Sequence, residues 1–438
     1  MTSAQQQVEL FNAELADFLD GSPTPFHAVA TLSQMLGKAG FQGLNEAEDW
    51  TLERGGKYFV TRNGSSIIAF VVGQNDLATA GIRMAGAHTD SPCLMVKPNP
   101  ELVRNGYYQL GVEVYGGALL NPWFDRDLSL AGRLVYSDKN GQLKQTLINF
   151  NDPIAVVPSL AIHLDREANK GRSINPQTDI SPILMQAEEG EDFHVMLAQR
   201  FLSDGDKVLD YELCFYDVQG AATVGLKKEF FASARLDNLL SCFVGAKALL
   251  AADGTNTALL VCNDHEEVGS VSSAGANGPF LESVFDRLCS HDASATNKSR
   301  ILDRSLFISC DNAHAVHPNY LLKHDEKHSP VLNGGPVIKV NSTQRYATNG
   351  VTASFFRQMC SDENVPVQTF VARGDMGCGS TIGPVTSAKL GVPTLDVGIP
   401  QLAMHSCREL TGTLDPERLA RVLKAFYNRP GALVVEPR

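Results

Sequence analysis

The C-terminal part of the chain, from residue 231 onward, alternates helical segments with short apolar runs. The segment "ARLDNLLSCFVGAKALLAA" has helical character, whereas "TALLVC", "SLFISC", "VQTFVA" and "VPTLDVG" have the length and composition of buried strands. Alternation of this kind is typical of a sheet whose faces are covered by helices. The sequence therefore predicts an α/β fold with a central mixed sheet flanked by helices.

The N-terminal part adds two helices, a hairpin and one more strand to this fold. Apolar residues recur every three or four positions over residues 8–36, and "GSPTP" interrupts them. The segment "KYFVTRNGSSIIAFVVG" predicts a hairpin that turns at Asn63 and Gly64. "IRMAGAHTDSP" follows, and it predicts a strand that ends near His88.

The middle of the chain has a different character. Segments such as "YYQLGVEVYGG" and "KVLDYELCFYDV" are β-rich, Asn140 and Gly141 indicate another turn, and helical periodicity is weak. We therefore predict a discontinuous α/β domain, residues 1–94 and 231–438, that is split by a β-rich insert, residues 95–230.

Composition excludes several classes of partner. The formal net charge of −12 argues against a nucleic-acid backbone. The chain has no run of about 18 uncharged apolar residues, so we expect no membrane span, and its first residues lack the pattern of a signal peptide. Its 9 cysteines include no C-x-x-C pair, which favours a reducing cytoplasm.

Polar side chains that can bind metal follow four of the apolar runs, where the predicted strands end. In open α/β sheets, binding sites form beyond the carboxyl ends of the strands. A further candidate, Asp237, lies where a helix is predicted to begin. The strand-end candidates are His88 and Asp90, then Glu266 and Glu267, then Asp311, and finally His405.

Each of these residues also has a purely structural interpretation. An aspartate before a helix is commonly an N-cap, and a histidine after a strand is commonly a hydrogen-bonded loop residue. Recurrence at several strand ends of one sheet favours a shared metal site instead. Two histidines and three carboxylates suit two divalent ions about 3.5–4 Å apart, with one aspartate bridging them. The predicted metal ligands are His88, Asp237, Glu267, Asp311 and His405.

The adjacent glutamates in "NDHEEVGS" would raise each other's pKa if they were buried together. A metal pair resolves this conflict when Glu267 binds a metal and Glu266 acts as the general base beside it. Asp90 lies two residues after His88, on the same side of an extended backbone. It is placed to accept the other ring N–H of His88 and to fix its tautomer.

Seven segments together resemble the aspartyl aminopeptidases, a cytosolic family of zinc metallopeptidases (metallopeptidase family 18). They occur in the same order as in that family, from residue 22 to beyond residue 405. The segments are "SPTPFHAV", "AGAHTDSP", "ARLDNL", "NDHEEVGS", "SCDNAHAVHPN", "IKVNSTQRYATN" and "MHSCRE".

This resemblance implies an activity, a cofactor and an assembly. The implied enzyme removes N-terminal Asp or Glu from peptides by hydroxide attack at a dinuclear zinc centre, with Asp237 bridging the two ions of each subunit. Cobalt or manganese would also suit such ligands. The resemblance further implies a zinc exopeptidase type of catalytic domain, a dimerisation role for the insert, and a large homo-oligomer, a dodecamer built from dimers.

The resemblance also assigns His163, within the insert, to substrate binding in the active site of a neighbouring subunit. Another interpretation groups His88, His163 and His405 as three zinc ligands. We favour the carboxylate-rich set, because three histidines would leave the glutamate pair and Asp311 unexplained.

Recognition of an acidic substrate requires a cation near the metals. Lys339 and Arg345 are candidates, and Tyr346 is a neighbour that can form hydrogen bonds. The chain lacks the G-x-S-x-G motif of serine hydrolases and the H-E-x-x-H motif of thermolysin-type proteases. A metallo-carboxypeptidase or an amide deacylase of related fold could share the same ligands, and a requirement for a free α-amine would separate these enzymes from an aminopeptidase.

Overall fold

The computed structural model describes residues 3–187, 191–431 and 433. These residues form two compact units. The first unit comprises residues up to 90, residues 221–404 and residues from 409 onward, and the second comprises residues 91–220 with 405–408.

The first unit begins with two helices and four strands. Thr24 caps the second helix, because its side chain accepts a hydrogen bond from the N–H of His27. The elements are α1 (Ser3–Asp20), α2 (Pro25–Lys38), β1 (Gln42–Leu44), β2 (Lys57–Arg62), β3 (Ser66–Val71), α3 (Leu77–Ala80) and β4 (Ile82–His88). The predicted hairpin is confirmed, since β2 and β3 pair antiparallel up to Arg62 and Ser66.

The second unit is built mainly from strands. Its elements are β5 (Cys93–Arg104), β6 (Tyr107–Tyr115), β7 (Leu128–Ser137), β8 (Leu143–Asn149), α4 (Ala168–Gly171), β9 (Ile183–Gln186), α5 (Phe193–Phe201) and β10 (Lys207–Asp217). Among the described residues, six strands form one antiparallel sheet in the order β8-β7-β10-β5-β6-β9. The predicted insert, residues 95–230, covers most of this unit, and its role in dimerisation stays a prediction.

The chain then returns to the first unit and completes it. The elements are β11 (Ala222–Val224), β12 (Phe230–Ser233), α6 (Leu236–Leu250), β13 (Thr257–Asn263), α7 (Phe280–Ser290), α8 (Lys298–Asp303), β14 (Leu306–Cys310), β15 (Ala313–His314), β16 (Val337–Val340), α9 (Gly350–Asp362), β17 (Gln368–Val371), α10 (Ile382–Leu390), β18 (Thr394–Gly398), β19 (Pro400–Leu402), β20 (Glu409–Gly412) and α11 (Asp415–Asn428).

In the described part of the chain, nine strands form the central sheet in the order β1-β2-β3-β13-β4-β14-β18-β16-β17. The strands β13, β4, β14 and β18 run parallel at its centre. Antiparallel pairs flank them, β3 with β13 and β16 with β18. The predicted central mixed sheet is therefore confirmed. A smaller sheet in the same unit has the described order β11-β12-β20-β19-β15.

Alternate residues of the central strands face two layers of helices. In β4, Ala85 and Ala87 belong to the hydrophobic core that α1, α2, α6 and α11 share. Ile82 and Met84, on the other face, belong to the core formed with α7, α8 and α10. This arrangement follows from the period of two residues along a strand. Because helices cover both faces of the sheet, a binding site can form only at the ends of its strands.

None of the described helices combines the length and the apolar composition that crossing a membrane requires.

Candidate metal centre

The parallel strands β4, β13 and β14 end at the same edge of the central sheet. His88 is the last residue of β4 and pairs with Asn263, the last residue of β13. The two adjacent glutamates follow β13 after a short turn, and Asp311 directly follows β14. The fold therefore brings several of the predicted site residues to one edge.

Three of the five predicted ligands converge here. His88, Asp237 and Glu267 each offer one ligand atom, and these atoms all lie within 4.8 Å of one another. His88 Nε2 is 3.5 Å from Asp237 Oδ1, and both side chains are buried. One histidine with two carboxylates is a ligand set that zinc accepts. The residues present thus fit a zinc ion.

Contacts from distant strands hold Asp237 in position. The Asp237 N–H donates to Glu409 Oε2 at 2.9 Å, and the Asn238 side chain donates to the Cys310 carbonyl oxygen at 2.8 Å. The peptide bond between Asp237 and Asn238 is cis. Asp237 and Asn238 have non-helical backbone angles, φ −86° and ψ 103° at Asp237, so the chain is kinked at the start of α6.

Asp90 connects the end of β4 to the two glutamates. Its Oδ1 accepts the N–H of Glu266 at 3.1 Å, and its Oδ2 accepts the N–H of Glu267 at 3.1 Å. His88 Nδ1 is 3.3 Å from Asp90 Oδ1 and 3.0 Å from the Asp90 carbonyl oxygen. Asp90 is fully buried, so one carboxylate orients both the histidine and the glutamate turn.

The pKa of His88 reflects these acidic neighbours. Burial lowers the pKa of His88, but hydrogen bonds with Asp237 and Asp90 raise it more, so it lies well above its ordinary value. His88 Nε2 is also 3.9 Å from Glu266 Oε2. Negative charge is therefore concentrated on the ring edge that would bind a metal.

The carboxyl groups also shift one another's pKa. Burial, together with the nearby charges of Asp311 and Glu267, raises the pKa of Glu266 to about 8 against the opposing effect of His88. Burial raises the pKa of Asp311 as well, although Lys339 opposes this shift. Carboxyl groups in such an environment ionise together only when cations neutralise them. A divalent metal is the species that meets this requirement.

Asp311 makes a buried ion pair with Lys339. Lys339 Nζ is 3.2 Å from Asp311 Oδ1 and donates to the Asn312 carbonyl oxygen at 3.1 Å. The ammonium group also lies 5.1 Å from the centre of the Tyr346 ring. A Cβ atom at Gly398 would come within 2.1 Å of the Asp311 carbonyl oxygen, so glycine there permits the end of β18 to approach this residue.

The other predicted site residues lie in different surroundings. His405 belongs to the second unit, where its Nδ1 is 3.1 Å from the Gly117 carbonyl oxygen. His163 belongs to the same unit and is exposed. Arg345 is exposed, whereas Tyr346 is buried and packs against Phe370. The roles proposed for these residues stay predictions.

Two features of the site escaped the sequence analysis. Glu409 is buried in β20 and accepts the N–H of Asp237. In the sequence, its role is indicated only by its position within the segment "MHSCRE". A cleft of about 300 Å³ also lies beside β15 and β19. Several basic or imidazole side chains line it, together with Asp325: His314, His317, Lys323, His324 and Arg373.

The sequence is similar to those of known aminopeptidases. The family model for the aminopeptidase I zinc metalloproteases (M18) matches residues 18–427. The chain is 58% identical to "Probable M18 family aminopeptidase 2" of Pseudomonas syringae pv. syringae (strain B728a) over 422 residues, which cover 95% of this chain and 97% of that protein.

Solved structures show the same similarity in three dimensions. A chain in the cryo-EM structure of the Ape4 and Nbr1 complex has a TM-score of 0.93 and 38% identity, and the match covers 98% of this chain and 87% of that chain. The mApe1 dodecamer of S. cerevesiae has a TM-score of 0.84 and 28% identity, with coverage of 95% and 96%.

Proposed function

Because the chain belongs to the aminopeptidase I zinc metalloprotease family (M18), we propose that it removes acidic N-terminal residues, Asp or Glu, from peptides at a dinuclear zinc centre. The observation that carries this proposal is the convergence of His88, Asp237 and Glu267 to within 4.8 Å of one another. The class of enzyme, a zinc-dependent aminopeptidase, follows from the family itself.

The proposed ligands of the two ions are carboxylate and imidazole side chains. Asp237 would bridge the ions, and Asp90 and Glu409 would hold the ligands in orientation through the contacts described above. When bound, zinc polarises the carbonyl group of the scissile bond and lowers the pKa of water. Cobalt or manganese would suit the same donor atoms. The full proposed set is His88, Asp237, Glu267, Asp311 and His405.

Glu266 is the proposed general base. It is largely buried, its Oε2 is 3.9 Å from His88 Nε2, and its main chain is held by Asp90. In hydrolysis, Glu266 would accept a proton from the attacking water as the oxygen adds to the scissile carbonyl. The same carboxyl group would then deliver the proton to the departing amine as the C–N bond breaks, which restores the carboxylate.

Preference for acidic substrates rests on the cations near this edge of the sheet. Lys339 is buried and pairs with Asp311, so water screens its charge less than it screens the charge of an exposed cation. Arg345 and Tyr346 follow it in the chain and are the other proposed contacts. The cleft beside β15 and β19 has more basic and imidazole side chains than acidic ones, which supports an anionic ligand.

We further propose a homo-oligomer, a dodecamer built from dimers, in which His163 contacts substrate in a neighbouring subunit. Support comes from the dodecamer formed by S. cerevesiae mApe1. It also comes from the exposed apolar side chains around His163: Leu160, Ile162 and Leu164 are 52%, 49% and 75% exposed. The cysteines of the chain are all free thiols, which is compatible with the proposed location in a reducing cytoplasm.

The variant Glu266→Gln tests the proposed role of the base. It keeps the shape of the side chain and removes its ability to take a proton, so we expect zinc content to stay at the wild-type level while kcat falls by about 10²–10⁴-fold. Glu9→Gln, at an exposed position of α1, is the matched control and should retain full activity. A Glu266→Gln protein with wild-type kcat would refute the assignment.

A further inference from the structure

The second unit contains another convergence of metal-binding side chains. Glu101 on β5, Asp192 just before α5 and His194 within α5 each offer one ligand atom, and these atoms all lie within 4.8 Å of one another. None of the three belongs to the catalytic set proposed above. Ligand atoms around a tetrahedral zinc ion lie about 3.3 Å apart, so a modest closure of the cluster would complete a site.

Two of these side chains are held in place by the start of α5. Asp192 Oδ1 accepts the N–H of Val195 at 3.0 Å, and Glu101 Oε1 accepts the N–H of Phe193 at 3.1 Å. Each carboxylate thus uses one oxygen to cap the helix and has a second oxygen for another ligand. The ring of His194 packs against Tyr211, with 5.3 Å between the ring centres, which limits its orientation.

A buried hydroxyl group gives independent support for a ligand here. Tyr108 is fully buried, and its hydroxyl oxygen has no hydrogen-bond partner among the residues that the structure describes. Buried polar groups are normally paired, so an unpaired hydroxyl group points to a missing water or ion.

Tyr108 lies on the same face of the sheet as Glu101 of the cluster. Tyr108 pairs with Val103 and Leu110 pairs with Glu101, so Tyr108 and Glu101 lie on the same face of the sheet as diagonal neighbours. Phe193 of α5 belongs to the same hydrophobic core as Tyr108. Burial raises the pKa of the Tyr108 hydroxyl, and Glu101 and Asp192 raise it further, consistent with this proximity.

We propose that Glu101, Asp192 and His194 bind a divalent cation, of which zinc is the best match, within the β-rich unit. Two carboxylates and a neutral imidazole balance the charge of a dication, and a water molecule would complete a four-coordinate shell. That water would accept the hydrogen bond of the Tyr108 hydroxyl. The ion would fasten α5 to β5, two elements that are distant in sequence.

The test counts zinc on the full-length protein. Wild type and the double variant Glu101→Gln/His194→Gln are equilibrated in a buffer with the same low concentration of free zinc, and bound zinc per chain is measured by atomic absorption. We expect one zinc ion fewer per chain in the double variant. Asp204→Asn, an exposed carboxylate of the same unit outside the cluster, should match wild type. The number of catalytic ions cancels in this difference, so the result does not depend on the proposed function.

A second variant keeps the test decisive if the double variant does not fold. Tyr108→Phe removes only the hydroxyl group, and we expect it to lower zinc affinity at this site about 10–100-fold, the usual effect of losing a partner of a metal's ligands. Equal zinc counts in wild type and a folded double variant would overturn the proposal. If the double variant does not fold, equal zinc affinity in wild type and Tyr108→Phe would overturn it. So would loss of zinc from Asp204→Asn to the same extent.

Discussion

The Asp90 carboxylate accepts the main-chain N–H of Glu266, with 3.1 Å between Asp90 Oδ1 and the Glu266 nitrogen. Its other oxygen accepts the next N–H, that of Glu267, at the same distance. Asp90, two residues after the end of β4, therefore holds the backbone of the proposed base and of a proposed ligand in the turn that follows β13. This one side chain would link the proposed metal binding to the proposed proton transfer.

The substitution Asp90→Asn replaces one of these two carboxylate oxygens with an NH₂ group. The amide can accept one N–H, but its NH₂ group would face the other N–H and repel it. We expect zinc affinity to fall about 10–100-fold and kcat to fall with it, while excess zinc restores only the metal content. Titration of the apoprotein in zinc buffers, together with kcat at saturating zinc, measures both effects. Wild-type values for both would show that Asp90 does not orient the site.

Mixed assemblies test whether His163 acts in a neighbouring subunit. His163→Phe and Glu266→Gln proteins should each be nearly inactive, since losing a transition-state donor or the base costs about 10²–10³-fold or more. After dissociation and reassembly as an equal mixture, about a quarter of the sites would combine an intact base with an intact partner histidine. We expect activity to reappear to that extent. Mixtures that stay inactive despite confirmed subunit exchange would contradict the proposal.

Lys339→Met tests the source of the acidic preference. The buried ammonium group beside Asp311 is more strongly desolvated than Arg345, the other proposed cation, so its loss should weaken binding of a substrate carboxylate more. We expect the ratio of kcat/KM for aspartyl-anilide to that for leucyl-anilide to fall by roughly ten- to a hundred-fold.

The ratio cancels any general loss of activity that follows from disturbing Asp311. Arg345→Met, at an exposed position, is the control and should change the ratio less. An unchanged ratio in a Lys339→Met protein that retains its zinc would assign the preference to another residue.

A pH dependence of stability is expected from Asp415. Its oxygens accept the N–H groups of Gly335 and Asn333 at 2.9 and 2.6 Å, yet burial raises the pKa of Asp415 from 3.8 to about 6. The folded protein thus binds this proton more tightly than the unfolded chain does. The stabilisation from protonation is fully present below about pH 3.8 and is lost as the pH rises through about 6.

Urea unfolding of wild type and Asp415→Asn at pH 5 and pH 8 measures this effect. Relative to the variant, the free energy of unfolding of wild type should fall by roughly 1–2 kcal/mol between the two pH values. A difference between the proteins that does not change with pH would mean that Asp415 has an ordinary pKa in the folded state.

Local patterns were sufficient for much of the fold and part of the site. The apolar runs β13 and β14 predicted central strands, and the position of His88 at a strand end followed from the same pattern. The proximity of Asp90 to His88 required only their spacing in an extended chain. These inferences succeeded because the spacing of apolar residues along a strand, and the point where the strand ends, depend on residues that are close in sequence.

Other features depend on residues far apart in sequence. The hydrogen bond from Asp237 to Glu409 and the ion pair of Lys339 with Asp311 exist only because the sheets assemble, and no local pattern specifies them. Helix α5 is different, because Asp192 as N-cap and the spacing of Phe193 and Leu197 were available signals. The surrounding β-rich pattern hid that helix in the sequence.

The central claim is that this chain is a metal-dependent enzyme acting at a free N-terminus, and a panel of aminoacyl-anilides tests it most directly. Aspartyl-, glutamyl-, leucyl- and N-acetyl-aspartyl-anilide are incubated with native, chelator-treated and zinc-restored protein. We expect hydrolysis of the aspartyl and glutamyl substrates to exceed that of leucyl-anilide, to disappear on chelation and to return with zinc, and the acetylated substrate to be inert. Full activity in protein shown to be free of metal, or cleavage of the acetylated substrate, would contradict the account.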